Sequence, residues 1–154
     1  MKKLHKFYLN IGSNIHPEKN LPSTIELLRE NGKVEAVSNA WESYAIGSSG
    51  PNFLNVSVIY LTPLNPNGLK QKIIKSIEDT LGRIRSKDKY APRTIDIDII
   101  MIDEIPFNLN LWNNPFVVVP LAELVPEFNH PIEHKKLFGA FGAARRRLGT
   151  FAHA

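Results

Sequence analysis

An α+β fold of the ferredoxin-like type, an antiparallel βαββαβ sheet with helices and C-terminal additions, is predicted for this chain of 154 residues by three observations. Apolar residues recur with a period near two at 7–11, 34–44, 53–61 and 94–100, as half-buried strands require. They recur at helical spacing at 17–31 and 66–81. The stretches follow one another as strand, helix, strand, strand, helix, strand, so a hairpin sits between two crossover helices and the helices share one face of the sheet.

Each element has its own warrant. The first strand ends in Gly12-Ser13-Asn14, small residues suited to a turn or to close approach of a ligand. The helix over 17–31 starts at Pro17, carries Leu21, Ile25 and Leu28 on one stripe and stops at Gly32. The hairpin strands are joined by 46–52, a loop rich in Gly and Ser that is longer than a hairpin needs and so suits a substrate lid. At its exit Phe53 and Asn55 share a face. The second helix shows Leu69, Ile73, Ile77 and Leu81 as its apolar stripe, with Gly82 ending it and Glu78 turned away from the stripe. Beyond the last strand, 105–112 reads as a poor strand, 115–121 as a compact apolar run, and 121–125 and 132–148 as helical.

Composition narrows the function. With 43% hydrophobic and 22% charged residues the chain suits one globular domain, 1–154, that buries its own core. Cysteine is absent, which removes disulfide frameworks, thiolate zinc sites and cysteine nucleophiles. The basic N-terminus has too short an apolar run for a signal peptide, and nothing approaches the length of a membrane span, so a cytoplasmic protein with no membrane partner is expected. The net charge is +4, but the cations gather at 83–93 and in Arg145, Arg146 and Arg147 rather than along a helix with interleaved aromatics. Nucleotide is a more economical anion for them than nucleic acid. The five histidines form no metal-ligand pattern and read as surface residues, and the triple arginine reads as part of a solvated helix.

The chemistry concentrates in the last core strand. Between Thr94 and Ile100 every residue is β-branched except Asp96 and Asp98, which alternation puts on one face while Ile95, Ile97 and Ile99 take the other. A solvated antiparallel strand alternates in the same way. The difference lies upstream, where Arg83, Arg85, Lys87, Lys89 and Arg93 place five cations within eleven residues. A basic loop feeding a paired-carboxylate strand suits a metal-bound polyphosphate, because Mg²⁺ bridges phosphate to carboxylate oxygen while arginine forks take the remaining charge.

These residues resemble the 6-hydroxymethyl-7,8-dihydropterin pyrophosphokinase family, which transfers pyrophosphate from ATP to a pterin alcohol in folate biosynthesis. The resemblance runs from residue 7 to about 127. It rests on Gly12-Ser13-Asn14, Phe53-Leu54-Asn55, Leu81-Gly82-Arg83-Ile84-Arg85, the block Ala91-Pro92-Arg93-Thr94-Ile95-Asp96-Ile97-Asp98, and the segment from Phe116 to Glu127. It implies that Asp96 and Asp98 bind two Mg²⁺ and that Arg83 and Arg93 act on the phosphates of ATP, the co-substrate. It further implies that Glu78, Lys89 and Ile99 help to seat the nucleotide. Phe53 and Phe116 would sandwich the pterin, Asn55 would hydrogen-bond its edge, and Ser43 and Ile46 would stand on the lid side of the same pocket.

This chain departs from the family pattern in two places. Lys89-Tyr90-Ala91 stands where the family often has Arg-Trp-Gly, and neither His nor Arg occurs between 94 and 129, where typical members carry a Pro-His and an arginine before the stacking phenylalanine. The second departure supports a rival reading, a weakly active or non-catalytic relative that binds pterin or nucleotide and acts through a partner.

Overall fold

The computed structural model describes residues 2–43, 51–83 and 94–139, together with the backbone of 152 and 153. Residues 46–50 of the expected lid and the two residues before it, most of the basic run and Arg145 to Arg147 lie outside the described residues.

The sheet is antiparallel and its centre is the first strand, β1 (His5–Ser13), which pairs on one side with β4 (Phe53–Thr62) and on the other with β5 (Asp96–Ile102). Strands β2 (Lys33–Val37) and β3 (Ala40–Ser43) both pair with β4, and the short β6 (Ile105–Pro106) and β7 (Ala152–His153) lie at the two ends. This is the predicted ferredoxin-like sheet. The single strand expected over 34–44 is interrupted because the Ser38 hydroxyl takes the hydrogen bond of the Ser57 amide at 2.8 Å, in place of a ladder carbonyl. A side chain that competes for backbone bonds breaks a strand in this way.

Helix α1 (Pro17–Asn31) starts at Pro17, as expected, and lies on the same face as the second helix. That second helix comprises α2 (Pro66–Gly68), a π-helical stretch at Leu69–Ile74 and α3 (Lys75–Thr80), and it closes at Gly82, whose φ of 75° lies in the left-handed region that glycine enters without a Cβ penalty. Together they cover Phe7, Leu9, Ile11, Val56, Val58, Tyr60, Ile95, Ile97 and Ile99. Burial pushes the Tyr60 hydroxyl up to about 12, and it donates to the Leu28 carbonyl at 2.7 Å, satisfying one of the last carbonyls of α1.

The opposite face is covered by a helix that the sequence reading had only in part. Helix α4 (Pro115–Leu124) takes in the whole run of 115–121 and packs Val117, Val118, Val119 and Leu121 over Tyr8, Trp41, Ile59 and Met101. Its Glu123 grips β3 through the Trp41 indole N–H and the Asn39 amide. Of the poor strand expected at 105–112, only Ile105–Pro106 pairs with β5; Leu109–Asn113 is a 3-10 turn that buries Trp112 completely. There the Trp112 indole donates to the carbonyls of Ile100 and Phe107, and the Asn108 amide donates to the carbonyl of Ile99. These bonds tie the segment against the outer edge of β5. No helix among the described residues is long and apolar enough to cross a membrane.

Residues 132–136 are turn and bridge rather than helix, and the reason is His130, which the sequence reading set on the surface. It is 2% exposed. Its Nε2 donates to the Trp112 carbonyl at 2.8 Å while Nδ1 accepts from the amides of Ile132 and Glu133, so one imidazole organises the turn and fastens it to the 3-10 segment. His130→Ala strands three backbone groups and opens a cavity beside Trp112. It is expected to lower unfolding free energy by about 2 to 4 kcal/mol in chemical denaturation.

Candidate active site

Register assembles the site. Asp96, Gly12, Asn55 and Trp41 lie opposite one another across four strands, and so face the same side of the sheet. One row deeper stand Asp98, Asn10 and Ser57; one row toward the chain end stand Phe53 and Ser43. The carboxylates and three of the residues expected at the pterin therefore share one surface, which α4 covers farther along. Gly12 keeps the middle of that surface open, since a Cβ there would come within 2.9 Å of Asn55 Oδ1 and 3.6 Å of Phe53. Its need is space, not backbone freedom.

Asn55 is 3% exposed and its Nδ2 donates to Ser43 Oγ at 2.8 Å, so these two expected substrate residues are joined to each other. Asn14 donates to the Pro51 carbonyl at 3.3 Å, which ties the Gly-Ser-Asn segment to the approach of Phe53. Phe116 is in the first turn of α4 and half-buried against the second core. Ile46, Lys89 and Arg93 lie outside the described residues.

The carboxylates open onto a cavity of about 510 Å³ whose other wall is the second helix. Asp96, Ile97 and Asp98 form one side; Lys70, Gln71, Ile74, Lys75, Glu78 and Asp79 form the other, with Arg83 between. Arg83 Nη1 bonds Glu78 closely and reaches Asp96 Oδ1 at 3.1 Å. Their side chains are 9%, 5% and 23% exposed in the order Arg83, Glu78, Asp96. Glu78 is thus interior rather than turned outward as its spacing suggested. The π stretch just before it changes the helical phase, so a count at 3.6 residues per turn from Leu69 puts it on the wrong side. Ile99 is buried in the first core at 1% exposure, and Ile97, two residues earlier on that face, is the β5 isoleucine that lines the cavity.

Sequence reasoning missed Lys70, Gln71, Lys75 and Asp79 in the wall, and Asn10 beside Asp98. Helical spacing toward Glu78 held a signal for the first four. For Asn10 the signal was a polar residue inside an apolar strand.

A buried arginine held between two acidic groups, a carboxylate pair opening on a cavity of about 510 Å³, and an aromatic-amide surface beside it come together on one ferredoxin-like sheet. Comparison with known proteins agrees. Residues 8–126 match the family model of 7,8-dihydro-6-hydroxymethylpterin-pyrophosphokinase. The chain is similar to 2-amino-4-hydroxy-6-hydroxymethyldihydropteridine pyrophosphokinase of Aquifex aeolicus, 36% identical over 140 residues that cover 84% of this chain and 86% of the relative. The enzyme of the same name from Synechocystis is 34% identical over 148 residues, covering 88% of this chain and 74% of the relative. In fold it is similar to the Plasmodium falciparum HPPK-DHPS wild type solved with pteroate, with a TM-score of 0.70 at 13% identity. That match covers 96% of this chain but only 43% of the larger protein.

The chain belongs to the 7,8-dihydro-6-hydroxymethylpterin-pyrophosphokinase family. Its activity is transfer of pyrophosphate from ATP to 6-hydroxymethyl-7,8-dihydropterin, giving AMP and the pterin diphosphate, a step of folate biosynthesis.

Proposed function

We propose that this chain performs the transfer as a single domain in the cytoplasm, with ATP in the cavity between β5 and the second helix, the pterin on the Phe53 and Asn55 surface, and Mg²⁺ at Asp96 and Asp98. The observation that supports this reading is the row Asp96, Gly12, Asn55, in which a carboxylate and a side-chain amide share one surface with a gap between them. The residues fit a hard cation. Half-exposed carboxylates side by side on β5 offer oxygen, the donor that Mg²⁺ prefers. Two ions shared by the pair would offset charge on the phosphate oxygens when bound.

This chain's own side chains supply the rest. Arg83 gives Nη1 to the carboxylates, and its Nε and Nη2 are directed donors for phosphate, joined in this reading by Arg93 and Lys89. Glu78 and Ile99 help to shape the nucleotide site, Glu78 by holding Arg83 and Ile99 by backing Ile97. Phe53 and Phe116 bracket the ring, Asn55 pairs with its edge, and Ser43 holds Asn55 Nδ2, with Ile46 on the lid side. The pterin hydroxymethyl oxygen then attacks the β-phosphorus in line, its bond to phosphorus forms as the bond to the α,β-bridging oxygen breaks, AMP leaves, and the hydroxyl proton passes to solvent.

Quantifying AMP released from ATP and the pterin alcohol, with and without chelation of divalent metal, tests the reading. AMP formation that survives full chelation would exclude Mg²⁺ from it. The ring contacts have a separate test: Phe53→Ala and Phe116→Ala are each expected to weaken pterin binding by about 1 to 3 kcal/mol in calorimetric titration, with smaller effects on nucleotide. Unchanged pterin affinity in both variants excludes the sandwich.

A further inference from the structure

Among the described residues, two buried side-chain oxygens lack a hydrogen-bond partner, Asn10 Oδ1 and Thr94 Oγ1. Both belong to the carboxylate neighbourhood. Thr94 precedes Asp96 by two residues, and Asn10 is the cross-strand neighbour of Asp98 on its own face of the sheet. A buried acceptor left unpaired loses its hydration with nothing in exchange. Asn10 is 4% exposed, at a strand position where its neighbours in the chain, Leu9 and Ile11, are wholly apolar and buried.

We propose that Asn10 Oδ1 is a third protein oxygen of the cation site, paired with the hydration shell of the ion that Asp98 holds. The inference rests on the reading of Asp96 and Asp98 as metal ligands. Three arguments carry it. Cross-strand side chains on one face stand about 5 Å apart at Cβ, within reach of an ion and one water. Mg²⁺ needs six oxygens in near-octahedral order and retains several waters, whose hydrogens need acceptors. Among the described residues no group of three or more acidic, imidazole or thiolate side chains gathers to hold a metal, so the ion's remaining positions fall to water, and a neutral amide accepts a hydrogen bond from that water without adding repulsion. Asn10 thus orients the ion and touches neither the reacting phosphorus nor the hydroxymethyl group.

The test is Mn²⁺ affinity of the full chain with a non-hydrolysable ATP analogue, read by electron paramagnetic resonance of free Mn²⁺, for wild type, Asn10→Ala, Asn10→Asp and Asp98→Asn. Loss of an outer-sphere partner typically costs 10- to 100-fold in metal affinity. Asn10→Ala is expected to weaken Mn²⁺ about tenfold with metal-free pterin affinity unchanged, and Asn10→Asp to bind it more tightly than wild type. Unchanged Mn²⁺ affinity in a folded Asn10→Ala protein overturns the inference, as does a loss confined to metal-free pterin affinity. If Asn10→Ala does not fold, the aspartate variant decides, and no gain in affinity overturns it. Mn²⁺ affinity equal in wild type and Asp98→Asn would instead remove the metal reading itself. A loss in Asp98→Asn without one in Asn10→Ala removes only the role of Asn10.

Discussion

Asp96→Ala and Asp98→Ala should each lower AMP release from ATP and the pterin alcohol by about 10³-fold or more while leaving the melting temperature nearly unchanged. The kinetic part follows from charge. A single preorganised electrostatic contact is worth roughly 10² to 10³ in rate, and these carboxylates would carry the ions that several such contacts depend on. The stability part follows from place. Both residues belong to β5, whose ladder to β1 is made by backbone groups, and both are half-exposed, so neither truncation opens the core. Asp96→Ala leaves Arg83 paired with Glu78. Steady-state rates at saturating substrates beside thermal melts decide the matter: a tenfold loss or less would mean that neither carboxylate holds a necessary ion.

The second large effect falls on the fold. Arg83→Ala removes a close partner of Glu78, whose side chain is 5% exposed, and so takes a cation away from a buried carboxylate. Breaking such a pair from one side costs about 3 to 5 kcal/mol, which corresponds to a melting temperature lower by roughly 10 °C in a domain of this size. Glu78→Gln added to Arg83→Ala should restore most of that, because a neutral amide needs no counter-charge. Activity should not return with stability, since the cation beside Asp96 would still be missing. If the single variant melted within a degree or two of wild type, the ion pair would not be an internal brace.

What the sequence showed best was what local pattern determines. The strand bearing Asp96 and Asp98, the start of α1 at Pro17, the stop at Gly82 and the common face of Phe53 and Asn55 all follow from periods of 2 and 3.6 and from the demands of Pro and Gly. Three features depended on contacts that no local window contains. Ser38 interrupts a strand because its hydroxyl meets an amide 19 residues on. The valine run at 117–119 is helical because it lies flat on Tyr8, Ile59 and Met101; a short apolar run by itself suits strand and helix alike. His130 is interior because three backbone groups converge on it. At the site, the carboxylates and the pterin surface were legible as types, whereas the cavity's helical wall and Asn10 required the register of β1 against β5.

The π-helical stretch at Leu69–Ile74 bears on how this gene can vary in length. A π turn holds one more residue than the α turn it replaces while its two ends keep nearly the same separation. Deleting one residue from 70–72 would let the segment relax to α geometry with Pro66 and Glu78 still at their stations, so the Glu78, Arg83 and Asp96 contacts would survive. The same deletion at 75–77 would turn Glu78 by about 100° and carry it away from Arg83. A single-codon deletion scan of this helix should therefore show a tolerated window over the π stretch and an abrupt loss just beyond it.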